Sequence, residues 1–74
     1  MLTRPVVIAV DDEPDILTLV REALEREGIE VHSAGSVSEC LSLSEKVKPD
    51  VYVIDLTLPD GNGFDLVRNL RERH

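Results

Sequence analysis

In the stretch VVIAVDDEP, Asp11, Asp12 and Glu13 follow directly on five apolar residues, and Asp55 closes a second apolar run, VYVI. Adjacent carboxylates repel one another. Crowding them at the end of an apolar segment is reasonable only where water dilutes the repulsion or something positive is shared. The simplest shared group is a hard divalent cation. Mg²⁺ takes oxygen ligands, needs only one or two carboxylates and keeps several waters. Zn²⁺ would favour nitrogen or sulfur, and neither His32, His74 nor Cys40 adjoins the acids. The plain alternative is a set of solvated acids at strand ends and a helix N-terminus, where negative charge is mildly favourable.

Whether Asp55 meets the other acids depends on the elements that carry them. Val6 to Val10 is an unbroken apolar run, largely β-branched, which fits a strand covered on both faces of a parallel sheet. Pro14 suits the first turn of a helix, and Ile16, Leu19, Val20, Ala23 and Leu24 then repeat as one helical stripe. Gly28 is placed to end that helix in a left-handed conformation, with Ile29 packing back. The expected strands cover about 6–10, 30–34 and 51–55, the second of them at an edge. The expected helices cover about 14–27, 37–47 and 64–73. Ser36 and Glu39 have the spacing of a capping box at the start of the second helix. Val37, Cys40, Leu41 and Val47 should face inward from it, and Phe64, Val67, Leu70 or Leu66 mark the third helix. Strands alternating with helices imply a parallel α/β sheet with right-handed crossovers. All strand C-termini then lie on one side, so Asp11, Asp12 and Asp55 converge if the first and third strands are neighbours.

The bulk numbers exclude other classes. Seventy-four residues make at most one small domain of marginal stability. With 8 basic against 15 acidic residues the net charge is −7, which argues against a nucleic-acid surface. No apolar run approaches a membrane span, so no membrane partner is expected. Cys40 is the only cysteine, which suits a reducing cytoplasm, and it reads as core packing. His32 and His74 read as solvated.

These residues resemble the receiver domain of bacterial two-component response regulators. The resemblance rests on VDDE after the first strand, VIDLTLPDGNG after the third, and the glycine-ended first helix. It runs from about Pro5 to His74, and Asp55, Pro59 and Gly63 supply its D-x-x-x-P-x-x-x-G arrangement. It implies a flavodoxin-like fold, here three βα units in strand order 2-1-3. It also implies that Asp55 is the phosphoacceptor, served by a sensor histidine kinase. Asp11 and Asp12 match the acids that, with Asp55 and the backbone carbonyl of Thr57, hold Mg²⁺. Such a module takes part in its own phosphorylation and is not a turnover enzyme. Asn62 and the glycines at 61 and 63 permit positive φ and Pro59 fixes one φ, so residues 59–63 read as a tight turn beside the site.

Against the five-unit family pattern these residues read as truncated. Missing are a strand-4 Ser/Thr, a strand-5 Lys and a switch aromatic. Lys46 and Lys48 precede the third strand, roughly 15 Å from Asp55 at ~3.3 Å per residue, and Ser33 and Ser36 are separated from Asp55 by the first strand. The expectation is therefore weak Mg²⁺ binding and slow or absent phosphorylation. The third strand becomes an apolar edge, which favours a homodimer or domain-swapped oligomer that supplies the missing cover. A different class is a structural half-domain that self-associates without signalling. A haloacid dehalogenase-type phosphatase also starts with a strand-end Asp, but its second Asp would fall at Thr57.

Overall fold

The computed structural model describes residues 4–73. The chain order is β1 (Val6–Val10), α1 (Pro14–Arg26), β2 (Glu30–Ala34), α2 (Val37–Lys46), β3 (Val51–Ile54), β4 (Thr57–Leu58), β5 (Gly61–Asn62) and α3 (Gly63–Arg73). The strands β2-β1-β3 form a parallel sheet, the expected 2-1-3 order, with Ile8 level with His32 on one side and Tyr52 on the other. Boundaries shift slightly from expectation. The third strand stops at Ile54, the first two helices end at Arg26 and Lys46, and the third begins at Gly63. The loop after Asp55, expected to turn tightly at 59–63, holds the antiparallel hairpin β4-β5 with Thr57 opposite Asn62.

The two faces of the sheet are covered unequally. Ile8 and Val10 point toward α2 and α3, into a core with Ala34, Cys40, Leu58, Leu66 and Leu70. Val7 and Ala9 alternate to the α1 face and are also buried. Yet α1 has no buried residue, and its expected stripe is half open: Ile16 is 39% and Leu19 62% exposed, whereas Leu17, outside that stripe, is half-buried. Ala23 is exposed as well. Val51 and Val53 of β3 lie 53% and 44% exposed. In α3, Leu66 and Leu70 enter the core but Phe64 and Val67 do not.

Local chemistry explains the ends. Gly28, at φ 81, donates to Glu25 O while Ile29 donates to Leu24 O, the paired bonds of a Schellman cap. Ser36 Oγ accepts from Glu39 N–H, and Glu39 Oε2 reaches past Ser36 to accept from Gly35 N–H. His32 is not simply solvated, because its Nε2 lies 2.7 Å from Glu30 Oε2, and Glu30 also pairs with Arg4. That contact, with Arg4 beside it, holds the Glu30 carboxyl below its ordinary range. Cys40 is in the core, and burial pushes its thiol up to about 11. His74 lies outside the described residues.

Candidate metal centre

β1 and β3 deliver their acids to one rim by extending the backbone ladder past the strand ends. Asp11 N–H donates to Ala34 O at 3.1 Å and Asp55 N–H to Val10 O at 2.9 Å, so both residues stay in register with the sheet. Asp11, Asp12 and Asp55 then offer carboxylate oxygens that all lie within 4.8 Å of one another. Asp11 and Asp55 are half-buried and Asp12 is exposed. Glu13 stands apart from this group, as the N-cap of α1, with no side-chain cap bond. Asp11 Oδ1 accepts from Glu13 N–H at 2.9 Å, which sets one carboxylate against the positive end of α1.

Thr57 is exposed, and its N–H points back to Asp55 Oδ1 at 3.4 Å. Among the described residues no Lys, Arg or His pairs with the three acids; Arg4 and His32 are engaged with Glu30 on β2. The donor set is oxygen alone, partly exposed and strongly negative, and that suits a hard cation that retains water. It does not suit Zn²⁺, since Cys40 is enclosed in the core and His32 is bonded elsewhere.

The 57–63 segment is fitted closely against this rim, though not as its glycines suggest. Among the described residues only Gly28 has a positive φ, so neither Gly61 nor Gly63 is used for a left-handed turn. Gly63 is needed for want of a Cβ, which would sit 2.5 Å from Asp55 O and 3.0 Å from Leu56 Cα. At Gly61 a Cβ would lie 3.1 Å from Val37 Cγ2. Asn62 caps α3, accepting from Asp65 N–H at 2.8 Å while its amide donates to Asp65 Oδ2, a pairing whose i, i+3 spacing is that of a capping box.

Asp60 was read only as a turn residue, and the fold gives it a further task. Its two oxygens accept from Val37 N–H at 2.7 Å and Ser38 N–H at 3.0 Å, at the start of α2. Those bonds, the one from Val37 foremost, hold its carboxyl below the ordinary 3.8. A depressed carboxylate supports the fold above its unfolded value, so this tie persists through neutral pH and is lost only as acidification passes below 3.8.

Comparison with known proteins agrees with this architecture. The profile of the response regulator receiver domain matches residues 7–74. The chain is 44% identical over 66 residues to the transcriptional regulatory protein TrcR of Mycobacterium tuberculosis, covering 89% of this chain and 26% of that protein. Among solved structures, the chemotaxis response regulator CheY4 of Vibrio cholerae superposes with a TM-score of 0.90 at 35% identity, covering 93% of this chain and 57% of that one. The response regulator protein TrrA of Thermotoga maritima, solved in complex with Mg(2+)-BeF, gives a TM-score of 0.88 at 29% identity, covering 93% of this chain and 60% of that one. The chain thus spans about a quarter of TrcR and a little over half of the two solved chains. Sequence match and superposition lead to one assignment: this chain belongs to the response regulator receiver domain family.

Proposed function

We propose that the chain is the phosphoacceptor portion of a cytoplasmic two-component receiver. Asp55 takes a phosphoryl group from a histidine kinase, and Mg²⁺ is held by Asp11, Asp12, Asp55 and the Thr57 carbonyl. The observation that carries this reading is the meeting of three carboxylates, from two strands far apart in sequence, within 4.8 Å. In the transfer, an Asp55 carboxylate oxygen attacks phosphorus, the P–N bond to the donor imidazole breaks, and that imidazole takes up a proton. When bound, Mg²⁺ offsets the negative charge on the phosphoryl oxygens. Asp11, oriented by Glu13 N–H, keeps one ligand fixed at the mouth, while Thr57 N–H steadies the Asp55 carboxylate. The Mg(2+)-BeF complex of TrrA supports the choice of cation.

The 74 residues hold only two lysines, Lys46 at the end of α2 and Lys48 before β3, whereas Asp55 follows β3. Among the described residues neither lysine therefore stands beside Asp55 to meet the incoming phosphoryl group. Incubation with acetyl phosphate and Mg²⁺ should label the chain only slowly, and Asp55→Asn should remove the residual label, read by intact mass. Label surviving in Asp55→Asn overturns the assignment of the acceptor. Fast labelling that Asp55→Asn abolishes overturns only the expectation of slowness.

The open β3 edge supports a second reading, a half-domain that pairs with a copy of itself. Val51 and Val53 are exposed there, and Tyr52, Ile54, Val67 and Leu70 line an apolar groove on the opposite face. Sedimentation at micromolar concentration should then show a dimer, and a folded monomer rejects this second reading.

A further inference from the structure

We propose that Asp60 is a positioning residue for the acid site: it ties the β4-β5 hairpin to the first turn of α2 and thereby fixes the backbone two residues beyond Asp55. The inference rests on reading Asp11, Asp12 and Asp55 as a cation site. Its bonds to Val37 and Ser38 N–H cross more than twenty residues of chain, so they are tertiary ties and not local turn chemistry. They satisfy two amides that α2 leaves without helical partners. The hairpin is short enough to transmit the hold. Asp60 sits at its tip, Leu58 pairs with Gly61 on the next rung, and Thr57 pairs with Asn62 on the rung after that. Thr57 N–H meets Asp55 Oδ1.

Two further contacts make the tie stiff. The 3.1 Å space between a Gly61 Cβ and Val37 Cγ2 means that the hairpin lies directly on the first residue of α2. Glu39, in the same turn of α2, holds Gly35 N–H, and a Cβ on Gly35 would lie 3.9 Å from Asp11 O. The first turn of α2 therefore touches segments belonging to both sides of the acid cluster. Drawing Asp11 and Asp55 toward one cation is felt at α2, and loosening α2 is felt by the cation, as reciprocal coupling requires.

The test uses the chain and its Asp60→Ala, Asp60→Asn and Val37→Pro variants. Mg²⁺ is titrated by amide NMR, and exchange is followed at residues 37 and 38 wherever an N–H remains. Asp60→Ala should weaken Mg²⁺ binding about tenfold, the scale of losing an outer-shell support. Asp60→Asn keeps one acceptor oxygen but turns the other into a donor and carries no charge, so its loss should fall between the wild type and Asp60→Ala. Val37→Pro deletes one donor at a first-turn position that tolerates proline, following Ser36 in extended backbone, and should weaken binding in the same direction as Asp60→Ala. In the wild type, Mg²⁺ should slow exchange at Val37 and Ser38, and in Asp60→Ala it should not. Protection of the Ile8 amide certifies the sheet in each variant. Unchanged affinity in Asp60→Ala overturns the inference, and so does unchanged affinity in Val37→Pro, which keeps the charge of Asp60 and would make the effect one of charge alone. A wild type that binds no Mg²⁺ overturns the cation site as well, so the two failures are distinct.

Discussion

Adding Mg²⁺ should raise the unfolding temperature of this chain, and Asp11→Asn combined with Asp12→Asn should abolish the rise. Three carboxylates within 4.8 Å repel one another by about 1 kcal/mol per pair in a water-like dielectric, less once salt screens them. The high-dielectric limit applies because Asp12 is exposed and the other two are only half-buried. A ligand bound by the folded chain alone adds RT ln(1 + [L]/Kd), about 1.4 kcal/mol at a tenfold excess over Kd. In a domain of this size each kcal/mol moves Tm by roughly 4–8 °C, so the gain is about 6–11 °C. The doubly neutralised variant loses two ligands and two of the three charges. Its Tm should start higher than that of the wild type without Mg²⁺ and then stay flat across the titration. Thermal unfolding at fixed ionic strength, with KCl replacing MgCl₂ in the control, reads both effects. Equal protection of wild type and variant would remove Asp11 and Asp12 from the cation's shell.

Much of this architecture could be read directly from residue patterns, and the exceptions share a cause. The apolar runs at 6–10 and 51–54, the glycine at 28 and the Ser36–Glu39 spacing each encode their outcome within a few neighbouring residues, and the fold follows them. The meeting of Asp11, Asp12 and Asp55 needed one non-local step, the adjacency of the first and third strands, and parallel topology supplied it. What stayed hidden depended on partners remote in the chain. Gly63 is set by the carbonyl of Asp55 and Gly61 by Val37, so their purpose is steric and local turn rules misassigned it. Asp60 finds its donors on α2, which no spacing rule predicts. The α1 stripe shows the converse. Periodicity marks a face that could be buried, but burial depends on what packs there, and Leu19 remains 62% exposed.

That asymmetry between faces makes Ile8→Ala the most damaging simple truncation expected in this chain. Ile8 is fully buried on the central strand, between Tyr52 and His32 in register, in one cluster with Cys40, Leu66 and Leu70. Removing a buried Ile side chain costs about 2–5 kcal/mol, because the lost transfer energy adds to that of the cavity left behind. At roughly 0.05–0.15 kcal/mol per residue, these 74 residues have about 4–11 kcal/mol to lose. Ile16→Ala removes the same atoms from the thinly covered α1 face, where the side chain is already 39% exposed, and should cost under about 1 kcal/mol. Urea unfolding of the two variants should therefore separate them by a large shift in midpoint with little change in slope. Equal losses would mean that the α1 face is covered in solution as fully as the other. The damage at Ile8 should also extend to the acid rim. β1 carries Asp11 and Asp12 at its end, and Val10, two residues beyond Ile8, accepts the Asp55 amide, so a loosened strand misplaces all three carboxylates through the backbone.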